Sequence, residues 1–446
     1  MESSTEFEQM PETKLDGPQA VLFEQWEQVE RKMPFDLEES AQQAQVLRRK
    51  RGIKSASDYL RLALMYGVSE FSLRLMAAWA LVQGIGNLSD VAVLNRLRAC
   101  TPWLALLIGQ ILQQRFRGLQ ELPGMQIRLQ DASAISRPGS KGTDWRLHLT
   151  VNLWPLRIDG IEVTDEHTGE NLNLFEPRAN EIRVADRGYA YASNLGPLLA
   201  QEVQVVIRAN WHNLRLETAD GQRIGVIAWL KKLTGPGEQT VYLPTPQCRF
   251  PLRLLASPLP PEEAQQARER TRKRNGKKGR KVSPESLLAA GFLLVLTNLP
   301  SAEWSLAHVC GLYRLRWQIE LLFKRLKSLL DLDQLRAKDP QLAQAYLLSK
   351  LLAALLIDEL IEQVAQQQPE WFISLERPVS LWRLTQWFWE SVRQAIIGRL
   401  NRARFVELLP ALRRYFCDSP RARPQQLAWA RALLDFKSGS LSFFSC

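Results

Sequence analysis

The sequence predicts an α/β protein, with a mixed sheet in the middle of the chain and helical regions on either side. Three observations point there. Strand-like alternation broken by turn residues fills the stretch from Met125 to Arg208. Helical periodicity runs from Val21 to Leu122 and again from Leu342 to Phe416. Tyr313 to Lys327 contains no Pro or Gly and reads as one helix. With Tyr313 at zero and about 100° per residue, Arg316, Glu320 and Lys327 fall at roughly 300°, 340° and 320°. They share a stripe beside an apolar arc of Leu312, Leu315, Ile319, Leu322, Phe323 and Leu326 that should face a core.

In chain order, the first residues are acidic and polar, unlike a signal peptide, and read as a mobile tail. Ala56 to Met65 is helical, Gly67-Val68-Ser69 is a turn with a candidate N-cap, and Phe71 to Leu81 is a second helix. Following the basic run Arg48 to Lys54, this pair suggests a helix-turn-helix-like unit that contacts DNA; any small helical bundle shows the same spacing. Ser89-Asp90 caps a further helix, and Pro102 opens the next, Trp103 to Arg115. Met125 to Asp131, Trp145 to Asn152, Ile158 to Thr164 and Glu181 to Asp186 alternate as strands. Asn194 to Glu202 reads as a helix and Gln204 to Arg208 as another strand. Leu214 to Glu217, Ile224 to Leu230 and Gln239 to Leu243 read as strands of a mainly β insertion, after which Phe292 to Thr297 resumes the sheet. The apolar segment around Leu347 to Leu360 is interrupted by Lys350, Asp358 and Glu359, so no membrane span is expected.

The 446 residues allow two or three domains. The expected divisions are a tail (1–20), a helical DNA-binding region (21–122), the first part of a core (123–209), the β-rich insertion (210–290), the second part of the core (291–340) and a helical C-terminal region (341–446). The formal charge of +11 is concentrated. Arg268 to Lys281 holds nine basic residues and one acidic, and Arg48 to Lys54 holds five basic and none acidic, which leaves the remainder near neutral. Local contacts with a polyanion follow, with a solvated loop as the plain alternative for either run. Five scattered cysteines without a Cys-x-x-Cys pair argue against a zinc site or disulfide framework and fit a reducing cytoplasm.

Asp131 closes the first predicted strand ahead of the small pair Ala132-Ser133, and Asp186 closes a later one ahead of Arg187-Gly188-Tyr189. Taken alone, an aspartate at a strand end is more often a turn former. Together with Glu320 on a helix packed over the sheet, the two could converge on a point. Three like charges in contact need a counter-charge, and a pair of hard divalent cations such as Mg²⁺ supplies it with oxygen ligands.

Tyr313, Arg316, Glu320 and Lys327 match the pattern Y-x2-R-x3-E-x6-K. With Asp131-Ala-Ser133, Asp186-Arg-Gly-Tyr189, Leu296-Thr-Asn-Leu299 and Trp317, the chain resembles the DDE transposases of the insertion-sequence-four type over about residues 125 to 335. Ala132 departs from the glycine common in that family but keeps a small side chain. The resemblance implies a ribonuclease-H-like core interrupted by a β insertion. It further implies cleavage of DNA at the element's terminal inverted repeats, and joining of the ends to a target. Asp131, Asp186 and Glu320 would hold two Mg²⁺ ions, with Mn²⁺ as a substitute. Tyr313, Arg316, Lys327 and Arg187 would contact phosphates. In some relatives an aromatic stacks on a flipped base; Trp317 or Trp229 could do so, though burial is the plainer reading of each. The basic run, including Arg272, Lys273, Arg274, Lys277 and Lys278, would be a flexible arm along the DNA. The expected partners are DNA and a second copy of the chain, with no membrane and no small-molecule substrate, in a bacterial cytoplasm at the nucleoid. Two alternatives stay open, a domesticated DNA-binding protein without catalysis and a nuclease that cuts without joining.

Overall fold

A computed structural model describes residues 25–33, 36–47, 52–121, 124–277, 279–417 and 431. The expected tail (1–20), Arg48 to Arg51 of the first basic run, Lys278, and the C-terminal residues beyond 417 other than Arg431 lie outside the described residues.

The N-terminal region is helical: α1 (Trp26–Glu30), α2 (Leu37–Gln43), α3 (Ala56–Val68), α4 (Leu73–Val82), α5 (Asp90–Ala99) and α6 (Thr101–Gln120). Ser55, Ser72 and Ser89 cap α3, α4 and α5, each side-chain oxygen accepting a first-turn N–H. The turn expected at Gly67-Val68-Ser69 is absent, because Gly67 and Val68 complete α3. Gly67 serves a helix crossing instead, since a Cβ there would come within 2.7 Å of the Ser349 Cβ. Ser349 Oγ donates to the Ala63 carbonyl at 2.8 Å at the same crossing. Most of α3 is buried, so this helix belongs to the core.

The chain then builds β1 (Gln126–Ile135), β2 (Trp145–Leu153), β3 (Leu156–Asp165), β4 (Glu181–Ala185), α7 (Ala192–Ala200) and β5 (Gln204–Arg208). After β5 come α8 (Val226–Lys232), β6 (Gly237–Pro244), β7 (Arg249–Pro258), α9 (Pro261–Gly276), α10 (Pro284–Ala290) and β8 (Phe292–Thr297). One eight-stranded sheet results, in the order β3-β2-β1-β4-β5-β8-β7-β6. The antiparallel meander β1–β3, followed by β4 and β5 parallel to β1, is the ribonuclease-H-like arrangement. Two expected strands of the inserted stretch are not formed. Residues 224–230 fall largely in α8, and Leu214 to Glu217 contributes only isolated bridges at Glu217. The hairpin β6–β7 does form, and it joins the main sheet through β7 and β8. The basic run is mostly helical rather than a flexible arm. Pro261 opens α9, Glu262 and Glu263 sit in its first turn, and Lys273 and Arg274 in its last, so the charges match the helix dipole.

The two faces of the sheet are unlike. On β1 and β4, Leu129, Ile182 and Val184 face the larger core, under helices that follow β8. The alternate residues, Arg128, Gln130, Glu181 and Arg183, form a buried polar network on the other face. Arg183 pairs with Glu181 at 2.6 Å and donates to Gln130 Oε1 at 2.6 Å. Arg128 reaches Asp159 at 3.3 Å and Glu181 at 3.4 Å, and Arg178 also pairs with Asp159.

Beyond β8 lie α11 (Leu306–Leu315), α12 (Trp317–Leu330), α13 (Pro340–Gln367), α14 (Pro369–Ile373), α15 (Leu381–Ile397), α16 (Arg402–Glu407) and α17 (Leu409–Phe416). The apolar segment around Leu347 is the middle of α13, which is buried against α3 and α6. Its charges are satisfied inside the protein. Lys350 Nζ donates to the carbonyls of Leu330 and Asp331, where α12 ends, and Asp358 pairs with Arg115 at 2.6 Å. Among the described residues no single helix is long and apolar enough to cross a membrane.

Candidate active site

Parallel pairing of β1 with β4 matches Gln130 to Ala185 in its last register pair. Asp131 and Asp186 are the next residues on each strand, so they stand side by side, about 5 Å apart across the strands. Both point to the apolar face, alternating with Leu129 and Val184. Asp131 does not end its strand, as the sequence suggested. β1 continues to Ile135 in its pairing with β2, and only the pairing with β4 stops before Asp131.

Glu320 arrives from above the sheet. The single helix expected over Tyr313 to Lys327 is two, α11 and α12, joined at Arg316, where the hydrogen bonds tighten to i→i+3. Leu312, Ile319, Leu322, Phe323 and Leu326 are buried as expected, whereas Leu315 beside the break is exposed. Tyr313 donates its hydroxyl to Asp186 Oδ1 at 2.9 Å, and Arg316 Nε donates to that hydroxyl oxygen at 3.2 Å. Arg316 also forms an ion pair with Glu320 and lies 3.7 Å from Asp131. One guanidinium thus touches two of the three carboxylates and, through Tyr313, engages the third. Among the described residues no three acidic, histidine or cysteine side chains close to metal-holding distance. Arg316 lies between the carboxylates, in contact with Glu320, 3.7 Å from Asp131 and linked to Asp186 through Tyr313.

The electrostatics divide the aspartates. Burial lifts the Asp131 carboxyl to about 6, with Asp186 and Glu170 adding to the rise against the pull of the Ala132 N–H and Arg316. Burial also opposes the charge of Asp186, but the Arg187 N–H, Arg316, the Tyr313 hydroxyl and Arg208 outweigh it and hold Asp186 below the ordinary range. Tyr313 is pushed up to about 12 by burial and by Asp186. For Arg316, burial disfavours the cation, yet Tyr313, Asp186 and Glu320 together raise its proton affinity. A buried aspartate that ionises reluctantly, in an all-oxygen set of three carboxylates, suits a hard divalent cation, whose charge would relieve the strain.

Glu170 was not foreseen. It lies in the loop before β4, and a Cβ on Gly188 would sit 1.4 Å from its Oε2, so the glycine after Arg187 makes room for this carboxylate. Burial and Asp186 raise the Glu170 carboxyl. Arg208 was missed too, although a signal existed. It ends β5, the third parallel strand, and the carboxyl ends of neighbouring parallel strands share one edge. Of the other expected residues, Arg187 follows Asp186 directly, and Lys327 makes no ion pair among the described residues. Trp317 is 58% exposed, against the plainer expectation of burial, while Trp229 packs partly buried on the smaller core. Arg272, Lys273, Arg274 and Lys277 are exposed at the end of α9, and Lys278 lies outside the described residues.

The proteins this chain is similar to are transposases. The family described as "Transposase DDE domain" matches residues 158–356, a span that holds Asp186 and Glu320 and begins after Asp131. The chain is 42% identical over 337 residues to the putative transposase InsL for insertion sequence element IS186A of Escherichia coli (strain K12), covering 74% of this chain and 91% of that protein. It is 42% identical over 338 residues to the transposase for insertion sequence element IS421 of Escherichia coli, with the same coverage. A shorter match, 33% over 148 residues, joins 32% of this chain to 31% of the transposase for insertion sequence element IS231F of Bacillus thuringiensis subsp. israelensis.

Proposed function

The chain belongs to the DDE transposases of bacterial insertion sequences, and on that premise we propose that it binds the terminal inverted repeats of its element, cleaves at the ends and joins them to target DNA. The observation that carries this reading is the level placement of Asp131 and Asp186 at one sheet edge, with Glu320 tied to them through Arg316 and Tyr313. The family uses a divalent metal. Asp131, Asp186 and Glu320 would hold two Mg²⁺ ions, or Mn²⁺ in their place. When bound, the ions would activate a water or a 3′-hydroxyl and stabilise the leaving oxygen.

The remaining roles belong to the chain's own side chains. Tyr313 orients Asp186 by its hydrogen bond. Arg316, Lys327 and Arg187 bind the phosphate oxygens of the scissile strand, with Arg316 exchanging carboxylate partners for phosphate. Trp317, exposed one residue after Arg316, stacks on an unpaired base at the cut end. The exposed end of α9, with Arg272, Lys273, Arg274 and Lys277, lies along the DNA backbone. Two ends must be held together, so the protein works as a homodimer or higher on DNA. Because α13 is buried, pairing falls to the outer surface of α14 to α17, where Trp371 and Trp387 are exposed. Chromosomal DNA as substrate puts the reaction in the cytoplasm, at the nucleoid.

Purified protein incubated with Mg²⁺ and its own terminal repeats should release 3′-hydroxyl ends and form strand-transfer products. Glu320→Gln should do neither. Cleavage by Glu320→Gln at the wild-type rate would remove Glu320 from the site. Cleavage without any joined product would leave a nuclease.

A further inference from the structure

The segment between β3 and β4 places Glu170 beside the two aspartates, and two buried amides hold it there. Asn194 Nδ2 donates to the Glu170 carbonyl at 2.9 Å and to the Tyr189 carbonyl at 3.2 Å, which ties Glu170 to the turn that follows Asp186. Gln130, the residue before Asp131, donates its Nε2 to the Asn171 carbonyl at 2.8 Å. Asn194 and Gln130 are both buried, so these bonds are shielded from water. The Glu170 side chain lies over Gly188, where a Cβ would leave it no room. Among the described residues its carboxylate forms no hydrogen bond and no ion pair. Arg146 is the cation that acts on it, yet Arg146 forms no ion pair either, and its Nε is buried without a partner.

Holding a carboxylate without a partner next to two others costs free energy, because like charges repel and burial disfavours ionisation. Burial and Asp186 raise the Glu170 carboxyl, and Glu170 in turn adds to the rise at Asp131. Tyr189 is an independent sign. Its side chain is fully buried, and its hydroxyl has no hydrogen-bond partner. The charges felt at that hydroxyl are those of Asp131, Glu170 and Asp186, opposed by Arg146, so the orphan donor faces the same carboxylates. A buried donor without an acceptor, beside a carboxylate without a cation, marks a place that a ligand completes. A hard divalent cation that keeps some of its waters answers both needs, since it neutralises carboxylates and brings oxygen acceptors.

We propose that Glu170 belongs to the metal site as a fourth carboxylate, holding a divalent cation together with Asp186, and that the Tyr189 hydroxyl donates to the oxygens gathered there. The proposal rests on the reading that Asp131, Asp186 and Glu320 bind divalent metal, and it extends that set by one residue. Gly188 is what lets Glu170 come close to Asp186.

The test is Mn²⁺ binding to the full chain without DNA, followed by electron paramagnetic resonance of the free ion, alongside thermal melting in EDTA. Glu170→Gln should weaken Mn²⁺ binding about tenfold, the lower end of the ordinary range for altering the groups around a metal. It should melt no lower than wild type in EDTA, because the carboxylate has no partner to lose. Tyr189→Phe keeps its ring in the core; it should bind Mn²⁺ severalfold more weakly and also melt no lower in EDTA. Glu166→Gln, exposed in the same segment, should match wild type in both measurements. Wild-type Mn²⁺ affinity in Glu170→Gln would overturn the proposal, and a lower melting temperature beside that unchanged affinity would leave Glu170 balancing Arg146 only. The two readings fail separately. If Asp186→Asn weakens Mn²⁺ binding and Glu170→Gln does not, the fourth carboxylate alone is lost. A protein that binds Mn²⁺ through Asp186 and Glu170 but never cleaves its terminal repeats loses the catalytic reading alone.

Discussion

An Asp131→Asn variant exchanges a buried carboxylate for a neutral side chain of almost the same shape at the centre of the candidate site. The folded protein lifts this carboxyl from 3.8 to about 6, mainly by burial. A rise of about two pKa units corresponds to roughly 3 kcal/mol between the ionised and neutral forms. The sign follows from linkage. The folded state holds the proton more tightly than the unfolded chain, so this contribution is fully present below pH 3.8 and is lost as pH rises through 6. Asn never ionises and escapes the loss. The variant should therefore be more stable than wild type by up to about 3 kcal/mol at pH 8, and by about a third of that near pH 4.5. For a chain of this length the pH 8 difference corresponds to a melting shift on the order of 3 °C. Calorimetry in EDTA at both pH values reads it, and added Mg²⁺ should narrow the gap by stabilising wild type alone. A variant less stable than wild type at pH 8, or a gap that does not change with pH, would refute the claim that Asp131 is held against its preference.

Three further outcomes are expected. Gly188→Ala should displace the mobile end of Glu170 rather than the backbone, costing about 1 kcal/mol. Adding Glu170→Ala should cancel most of that cost in a double-mutant cycle of urea unfolding. Lys350→Met removes the donor to the last carbonyls of α12. Because burial lowers Lys350 from 10.5 to about 8, wild type carries a penalty below pH 8 that lifts as pH rises to 10.5, so the variant's deficit in stability should grow across that window. Neutralising Arg272, Lys273 and Lys277 together should flatten the plot of log affinity for duplex ends against log salt by about 0.9 for each phosphate left without its cation, as a filter-binding series would show.

The helix stripe was legible because helical spacing is a local property, and Tyr313, Arg316 and Glu320 do meet. Asp186 was legible for a similar reason, since a short alternating strand stopped by Arg187-Gly188 has a visible end. Asp131 was found for a partly wrong reason. Its position is set by where pairing with β4 stops, and the sequence of β1 alone does not show that. Glu170 carries no local signal, because only the close approach over Gly188 makes it a neighbour of the site. The strand misread as 224–230 is an apolar run short enough to suit either element. There Gly225 and the last-turn Lys231 and Lys232 bound a helix. The break at Arg316 leaves no mark in composition, because Tyr313 to Lys327 holds no Pro or Gly.

The buried arginines beneath β1 and β4 also bear on how the chain avoids a particular misfolding error. If β4 slipped by one residue against β1, Arg183 and Glu181 would turn into the apolar core, away from Gln130 and Arg128, at a cost of several kcal/mol for each stranded charge. The correct alignment leaves the carboxylates level with each other. The same pairing thus satisfies the arginines on one face and sets Asp131 beside Asp186 on the other. In effect the ionic layer proofreads strand alignment, and a chain that folds past that check has its two aspartates in line.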